Sequence, residues 1–276
     1  MKMKLKNHLL MFVILFILTN SQNISAKTSP FYSADFKSVA QTREFYQLKI
    51  YTFDTEEQLQ TTDKYLKEAY LPALKRLNIK NIGVFKLRPI ENDTVKKIFV
   101  LIPFSSLAQF ETLENGLIKD QIYMETGKDY ISASFENPPY KRIESVLMKA
   151  FEDMPVMKIT PLDGPREDRI YELRSYQSPT EAYFSNKLEM FNKGGEIKLF
   201  EKLQFNAVFY GEVILGSIMP NLMYMTTFQN QISRDEHWKN FVDSPEWKEL
   251  SAVEKYKNNV SHIDITFIYP TEYSDY

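Results

Sequence analysis

The chain has 276 residues, of which 34 are basic and 36 acidic, with three histidines and no cysteine. This composition excludes disulfides, thiolate nucleophiles, iron–sulfur clusters and cysteine-based zinc sites. The acidic excess argues against a nucleic-acid partner, because phosphate binding needs a basic protein face. The length fits one or two domains.

A signal peptide is predicted at residues 1–26. Three lysines within the first six positions precede an apolar stretch at 9–18 that is too short to span a bilayer as a helix. Cleavage is expected after Ala26; a cut after Ser21 and retention as an uncleaved anchor are the alternatives. The mature protein should be periplasmic or secreted, without membrane contact, and the loss of those three lysines leaves 31 basic residues against 36 acidic ones.

An internal repeat determines the predicted architecture. Segment 43–51 recurs as segment 168–176 with identical residues at three aligned positions, namely Tyr46/Tyr171, Leu48/Leu173 and Tyr51/Tyr176. Later segments recur in the same order, which indicates two copies of one structural unit. The predicted organisation is an N-terminal arm at 27–42, a first copy at 43–140, a connector at 141–168 and a second copy at 169–276.

The first copy is predicted to fold as β-α-β-β-α-β. Apolar, β-prone runs predict strands at 45–53, 82–87, 98–104 and 130–135. Helical spacing predicts a helix over 55–77, in which Pro72 should cause a kink or a break. Segment 89–93 has turn chemistry, and Ser105 or Ser106 can cap a second helix.

The second copy follows the same order. Strands are predicted at 169–176, 207–214, 222–228 and 263–269. Helices are predicted over 180–203, interrupted at Gly194-Gly195, and over 233–241 and 246–256, divided by Pro245. In the connector, the apolar spacing of 143–151 suggests a short amphipathic helix, with an added strand as the alternative.

Each copy corresponds to a ferredoxin-like unit, whose sheet carries helices on one side only. The bare apolar face must be covered, and the other copy on the same chain can cover it. The predicted fold is therefore α+β: two tandem ferredoxin-like (β-α-β-β-α-β) domains that form a pseudo-dimeric α/β barrel. Both a monomer and a homodimer are compatible with this arrangement.

Several segments of the second copy form a distinctive set. They are YELRSY at 171–176, MFNKGGEI at 190–197, VFYGE at 208–212, MPNLMYMT at 219–226, RDEHWKNF at 234–241 and PEWK at 245–248. In combination these motifs resemble the NIPSNAP family. The first copy matches at 46–51 but has no counterpart of the Gly-Gly-Glu or Pro-Asn-Leu segments.

The resemblance implies the dimeric α/β-barrel superfamily, which includes cofactor-free monooxygenases, isomerases and haem enzymes. NIPSNAP proteins have no settled catalytic residues to carry over to this sequence. Family members are linked to mitochondria, vesicle traffic and damaged-organelle signalling. An exported protein departs from that setting, so these roles transfer poorly.

One strand face of the second copy is unusually polar for a covered sheet. Strand periodicity leads us to expect these side chains to converge in the barrel: Glu172, Arg174, Tyr176, Tyr210, Glu212 and Asp264. In one interpretation, Arg174 holds a polar or anionic ligand group, and a desolvated Glu212 or Asp264 acts as a base. In the other, Arg174 pairs with a carboxylate, joins the two sheets and binds nothing. Similar places in the first copy are taken by Lys49, Tyr51, Ser132 and Ser134.

Segment 194–196 allows two interpretations. It forms either a ligand loop, with Asn192 and Glu196 among the binding residues, or a helix break that these two residues cap. His237 and His262 follow the predicted signal peptide, and either could supply a single axial ligand to haem. The sequence contains no nucleophile–base pair and no metal motif, so neither a metal nor a cofactor is predicted.

The predicted function is the binding of a small organic molecule in the barrel. Catalysis, if any, would be cofactor-free oxygenation or isomerisation, a reading that rests on analogy of fold. The catalytic residues are unknown, and the sequence leaves open whether the protein is an enzyme. The alternative is a non-catalytic scaffold that binds another protein through an outer helix face at 183–203.

Overall fold

The computed structural model describes residues 42–89 and 95–276. The predicted signal peptide at 1–26 lies outside the described residues, as does the predicted arm apart from its last residue. The turn predicted at 89–93 also lies outside them, except for Pro89. Within the described ranges, no helix is long and apolar enough to cross a membrane.

Strands of the described chain form a closed barrel. They are β1 Phe45–Phe53, β2 Gly83–Leu87, β3 Lys96–Phe104, β4 Arg142–Ala150, β5 Ile170–Gln177, β6 Ala207–Leu215, β7 Asn221–Phe228 and β8 His262–Pro270. The order around the barrel is β1-β3-β2-β8-β5-β7-β6-β4. All neighbours are antiparallel, and the two halves of the chain meet where β2 pairs with β8 and where β4 pairs with β6.

Helices follow the first and third strands of each half. In the first half these are α1 Glu56–Tyr65, a π-helical turn Leu66–Tyr70, α2 Leu71–Arg76, α3 Leu107–Lys119, α4 Gln121–Thr126 and α5 Lys128–Ile131. In the second half they are α6 Glu181–Phe191, α7 Glu196–Lys202, α8 Gln231–Asp243, α9 Pro245–Ala252 and a 3-10 turn Glu254–Tyr256. Both halves therefore have the predicted element order.

Strand alternation divides the buried apolar side chains among three cores. The barrel interior is packed with large residues, including Tyr46, Leu48, Phe85, Leu101, Met148, Tyr171, Phe209, Met225 and Ile268. The other two cores lie between the sheet and the helices, one in each half of the chain. Both faces of the barrel wall are thus covered, as in sheets that carry helices outside and a packed core inside.

The fourth strand of the first half is where the sequence prediction is wrong. Residues 130–135 form no strand: α5 ends at Ile131, and the Tyr130 ring stacks on that of Tyr65 at a centroid distance of 3.7 Å. The strand is instead Arg142–Ala150, within the predicted connector, where the alternative of an added strand is confirmed. Val146, Leu147 and Met148 are buried in succession on both faces of this strand, so the alternation that marks a strand is lost from that part of the sequence.

The interruption predicted at Pro72 is a change of helix type. The Leu71 N–H donates to the Leu66 carbonyl, five residues back, which creates the π-helical turn. Pro72 has no N–H to donate and stands in the first turn of α2, where a proline is tolerated. The chain therefore continues as a helix through this point without a break.

Candidate functional site

One end of the barrel is open and holds a cavity of about 470 Å³. Its apolar floor comes from Phe99, Val146, Leu173 and Met223, which belong to strands from both halves. These residues lie near the middle of β3, β4 and β5 and near the start of β7, and the cavity extends from them toward the end of the barrel where β3, β4 and β7 begin. The opposite end is filled, because Tyr276 packs there against the rings of Phe85 and Tyr171.

A buried polar pair lies in the wall of this barrel-mouth cavity. The Ser175 hydroxyl donates to Oδ1 of Asn221 at 3.1 Å, and both residues are buried. Asp264 pairs with Ser175 across β5 and β8 but stands nearer the rim, with about half of its side chain exposed. Its oxygens accept hydrogen bonds from Gln177 and lie 3.0 Å from Nε2 of His262. The desolvation expected for a predicted base is therefore missing at Asp264.

The prediction that six polar residues converge in the barrel is wrong. Four of them, Glu172, Arg174, Tyr176 and Tyr210, lie on the outer face of the wall beneath the helices of the second half. Glu212 also lies on the outer face, because it alternates in step with Tyr210 along β6, and its carboxylate is near Arg43. Asp264 is the exception: it pairs in register with Ser175 and therefore lies on the inner face. Because both faces of these strands are buried, polarity along the sequence did not reveal which face points inward.

The outer-face residues form a satisfied charge network around Glu172, whose side chain is fully buried. Nε of Arg174 donates to the carboxylate at 2.7 Å, Nε of Arg234 at 2.8 Å and Nε1 of Trp238 at 2.9 Å. The Arg174 guanidinium also stacks on the Trp238 ring at 3.7 Å and donates to the Tyr176 hydroxyl. Arg174 thus pairs with a carboxylate, as the second interpretation expects, but the network joins β5 to α8 and not one sheet to another.

The protonation state of Glu172 follows from these contacts. Burial alone would raise the pKa of its carboxyl group. The bonds from Arg234 and Trp238, with the charge of Arg174, outweigh burial and hold this pKa below its ordinary value. Glu172 is therefore ionised at neutral pH, and its oxygens are occupied by donors from the chain itself.

The Gly-Gly segment is a helix break with a close approach of the backbone. A Cβ on Gly194 would lie 2.5 Å from the Met190 carbonyl oxygen, and Gly195 has a φ of +89°. Asn192 caps the end of α6 by donating from Nδ2 to the Leu188 carbonyl at 2.9 Å. The capping interpretation holds for Asn192.

Glu196 does not cap the break. Its carboxylate accepts from Nζ of Lys187 at 2.8 Å, and both side chains are buried beneath the helices. The Lys187 ammonium also lies 4.6 Å from the centre of the Phe191 ring. Neither Asn192 nor Glu196 lines the barrel-mouth cavity, so the ligand loop predicted at this segment is not part of that cavity.

Neither histidine is placed to hold a haem. His237 lies on α8 with Nδ1 2.6 Å from the Ser233 carbonyl oxygen, and its ring packs against Phe205 and Phe228. His262 lies at the exposed rim beside Asp264 and is not among the residues that line the barrel-mouth cavity. The described part of the chain contains no cluster of side chains suited to a metal ion.

A second, larger pocket of about 760 Å³ lies outside the barrel in the first half of the chain. Its walls include five tyrosines and a lysine, namely Tyr65, Tyr70, Tyr123, Tyr130, Tyr140 and Lys49. The sequence did not predict this tyrosine pocket. The available signal was the repeat alignment, which sets Lys49 opposite Arg174 but Gln47 opposite Glu172.

Comparison with known proteins agrees with this fold. Residues 171–275 match the family model described as NIPSNAP, which confirms the resemblance over the second half of the chain. Among curated proteins, none matches this sequence.

Three solved structures are similar to this chain. A candidate monooxygenase from Fusobacterium nucleatum has a TM-score of 0.53 at 8% identity and covers 83% of this chain and 93% of its own. A candidate monooxygenase from Lactobacillus acidophilus has a TM-score of 0.52 at 10% identity, over 83% of this chain and 94% of its own. A NIPSNAP family protein from Agrobacterium tumefaciens has a TM-score of 0.34 at 15% identity, over 39% of this chain and 97% of its own. At these identities the first two show the fold alone, a closed antiparallel α+β barrel.

Proposed function

We propose that this protein binds a small organic molecule in the open end of its barrel. The observation that carries the proposal is the cavity of about 470 Å³, with its apolar floor and one buried polar pair. Ligand sites in proteins are typically pockets of ~300–1,000 Å³ with few polar groups that fix orientation. The ligand should therefore have an apolar part that meets the floor and polar groups that meet the Ser175–Asn221 pair and the charged side chains of the rim, among them Lys97 and Glu144.

The fold indicates a broad class of reaction but no particular substrate. We interpret the barrel as two tandem ferredoxin-like domains in a pseudo-dimer and place the end of the first domain at Ala150. Solved structures of similar fold are described as candidate monooxygenases. By analogy, any reaction here would be cofactor-free oxygenation or isomerisation.

The helix face that the scaffold alternative requires does not expose an apolar surface. The large apolar residues of segment 183–203 are buried or half-buried, with the exception of Tyr183. An apolar patch broad enough to bind a partner protein is therefore missing from that face.

The test is native mass spectrometry of the protein purified from the cell envelope that the predicted export implies. We expect a retained small molecule, which Val146→Trp should exclude because Val146 lines the cavity floor. Lys158→Met is the matched control, since Lys158 is exposed and remote from the cavity lining. A ligand-free mass and no binding across a metabolite panel would refute the proposal, as would equal retention by Val146→Trp.

A further inference from the structure

The tyrosine pocket contains a cation that the fold leaves without an ion pair. Lys49 occupies the position that Arg174 takes in the second half, but the residue matching Glu172 is Gln47, whose amide donates to Ser145. Among the described residues, Lys49 makes no ion pair, and the Glu114 carboxylate in the same pocket acts on it only from a longer distance. Its ammonium instead lies 5.0 Å from the centre of the Tyr70 ring and 5.6 Å from that of Tyr51.

One phenol hydroxyl beside this cation also lacks a partner. The Tyr70 hydroxyl is buried and makes no hydrogen bond within the described part of the chain, whereas the Tyr51 hydroxyl interacts with the Lys49 ammonium and with Tyr130. In the second half the hydroxyl that matches Tyr51, that of Tyr176, accepts from Arg174 and from Tyr224. Buried donors are normally satisfied, so the first half leaves room for an external acceptor near Lys49.

The walls of the pocket are flat and held in place by one another. The Tyr65 and Tyr130 rings stack at 3.7 Å with an interplanar angle of 3°. The hydroxyls of Tyr65 and Tyr123 lie 2.8 Å apart and are hydrogen bonded. Aromatic walls of this kind favour planar, apolar ligands through offset-stacked or edge-to-face contacts.

Charges near the opening also favour an anion. Arg142 and Lys141 line the pocket with Lys49, against the carboxylates of Asp54 and Glu114. The Asp54 carboxylate is already paired with Lys141 at 2.8 Å. The remaining charged side chains, Lys49 and Arg142 against Glu114, therefore give the pocket a net positive charge, which favours a bound anion.

We propose that the tyrosine pocket is a binding site for a small aromatic carboxylate. The carboxylate accepts from the Lys49 ammonium at the inner end of the pocket, and the ring lies among the tyrosine walls. This site is on the outer face of the first half, whereas the barrel-mouth cavity is inside the barrel. Each proposal therefore stands or fails without the other.

The experiment is isothermal titration of the full chain with 2-naphthoate and with its uncharged analogue 2-naphthylmethanol. Lys49→Met should weaken 2-naphthoate by about tenfold or more, because a charge-assisted hydrogen bond is lost. The same variant should leave the affinity for 2-naphthylmethanol within about twofold, and Lys49→Arg should retain 2-naphthoate. Lys97→Met, which removes a cation from the barrel mouth, is the matched control and should bind 2-naphthoate normally.

A second variant keeps the test valid if Lys49→Met fails to fold, which circular dichroism would reveal. Ser134 is exposed at the edge of the tyrosine pocket, so Ser134→Trp should narrow the pocket without disturbing the core and should weaken 2-naphthoate. The proposal is overturned if the unmodified protein does not bind 2-naphthoate. Equal affinity of the unmodified protein and the variants, or a loss confined to Lys97→Met, also overturns it.

Discussion

Replacement of Glu172 by glutamine should strongly destabilise the protein. The carboxylate is fully buried and neutralises the guanidinium of Arg174, which is itself 8% exposed, and that of Arg234. Glutamine keeps one acceptor oxygen but removes the charge and turns an amide N–H₂ toward a guanidinium. Breaking a buried ion pair from one side costs about 3–5 kcal/mol. Taking the lower value, the midpoint of thermal unfolding should fall by about 6–12 °C for a chain of this size.

Urea and thermal unfolding of purified Glu172→Gln measure this cost. The control is Glu201→Gln, which breaks an exposed ion pair with Lys158 and should change the unfolding free energy by about 0–1 kcal/mol. If Glu172→Gln is no less stable than Glu201→Gln, the argument that the network stabilises the second half is refuted.

The same variant has a pH signature. The pKa of Glu172 is lowered on folding. Its contribution to the free energy of unfolding is therefore fully present above the pKa of the unfolded state, about 4.5, and is lost as the pH falls through the lower pKa of the folded state. The unmodified protein should therefore lose stability below pH 4.5 more steeply than Glu172→Gln does. Parallel acid-unfolding curves would show that Glu172 is not held ionised by its neighbours.

Two further predictions concern the helices of the second half. Lys187→Met and Glu196→Gln should each cost about 3–5 kcal/mol because each leaves one buried charge. The double variant Lys187→Met with Glu196→Gln should cost less than the sum of the two, as urea unfolding of all three variants would measure. Gly194→Ala should cost about 1–3 kcal/mol because its Cβ meets the Met190 carbonyl oxygen at 2.5 Å, whereas unchanged stability would show that α6 can shift to admit it.

Much of the fold could be predicted because the repeat and the strand patterns are local. β1 and β7 lie within a residue of their predicted ranges, and Ser106 caps α3 through its hydroxyl. The exception is β4, whose first residues are exposed and whose residues 146–148 are buried on both faces, so that alternation disappears. A strand of that kind is identified by its pairing partners, which a single sequence does not display.

The candidate sites were less predictable because they depend on contacts between distant segments. Glu172 and Arg174 are two residues apart, but the partners Arg234 and Trp238 come from a helix sixty or more positions later. Sequence periodicity separated the two faces of β5 correctly and could not tell which face lies under helices. The same holds for Lys49: whether it has an ion-pair partner depends on the side chains that α3 to α5 place around it, and these are distant in sequence.

The two joins between the halves are among the shortest strand contacts of the barrel, and within a half only β2 and β3 pair over as few as four positions. β2 and β8 share three paired positions and β4 and β6 share four, with a register shift between Leu147 and Met148, against nine for β1 and β3. Both short joins connect one half to the other, so the wall can part there while each half keeps its own sheet. Amide hydrogen exchange should therefore be fastest along these two lines, which would admit molecules wider than the resting opening.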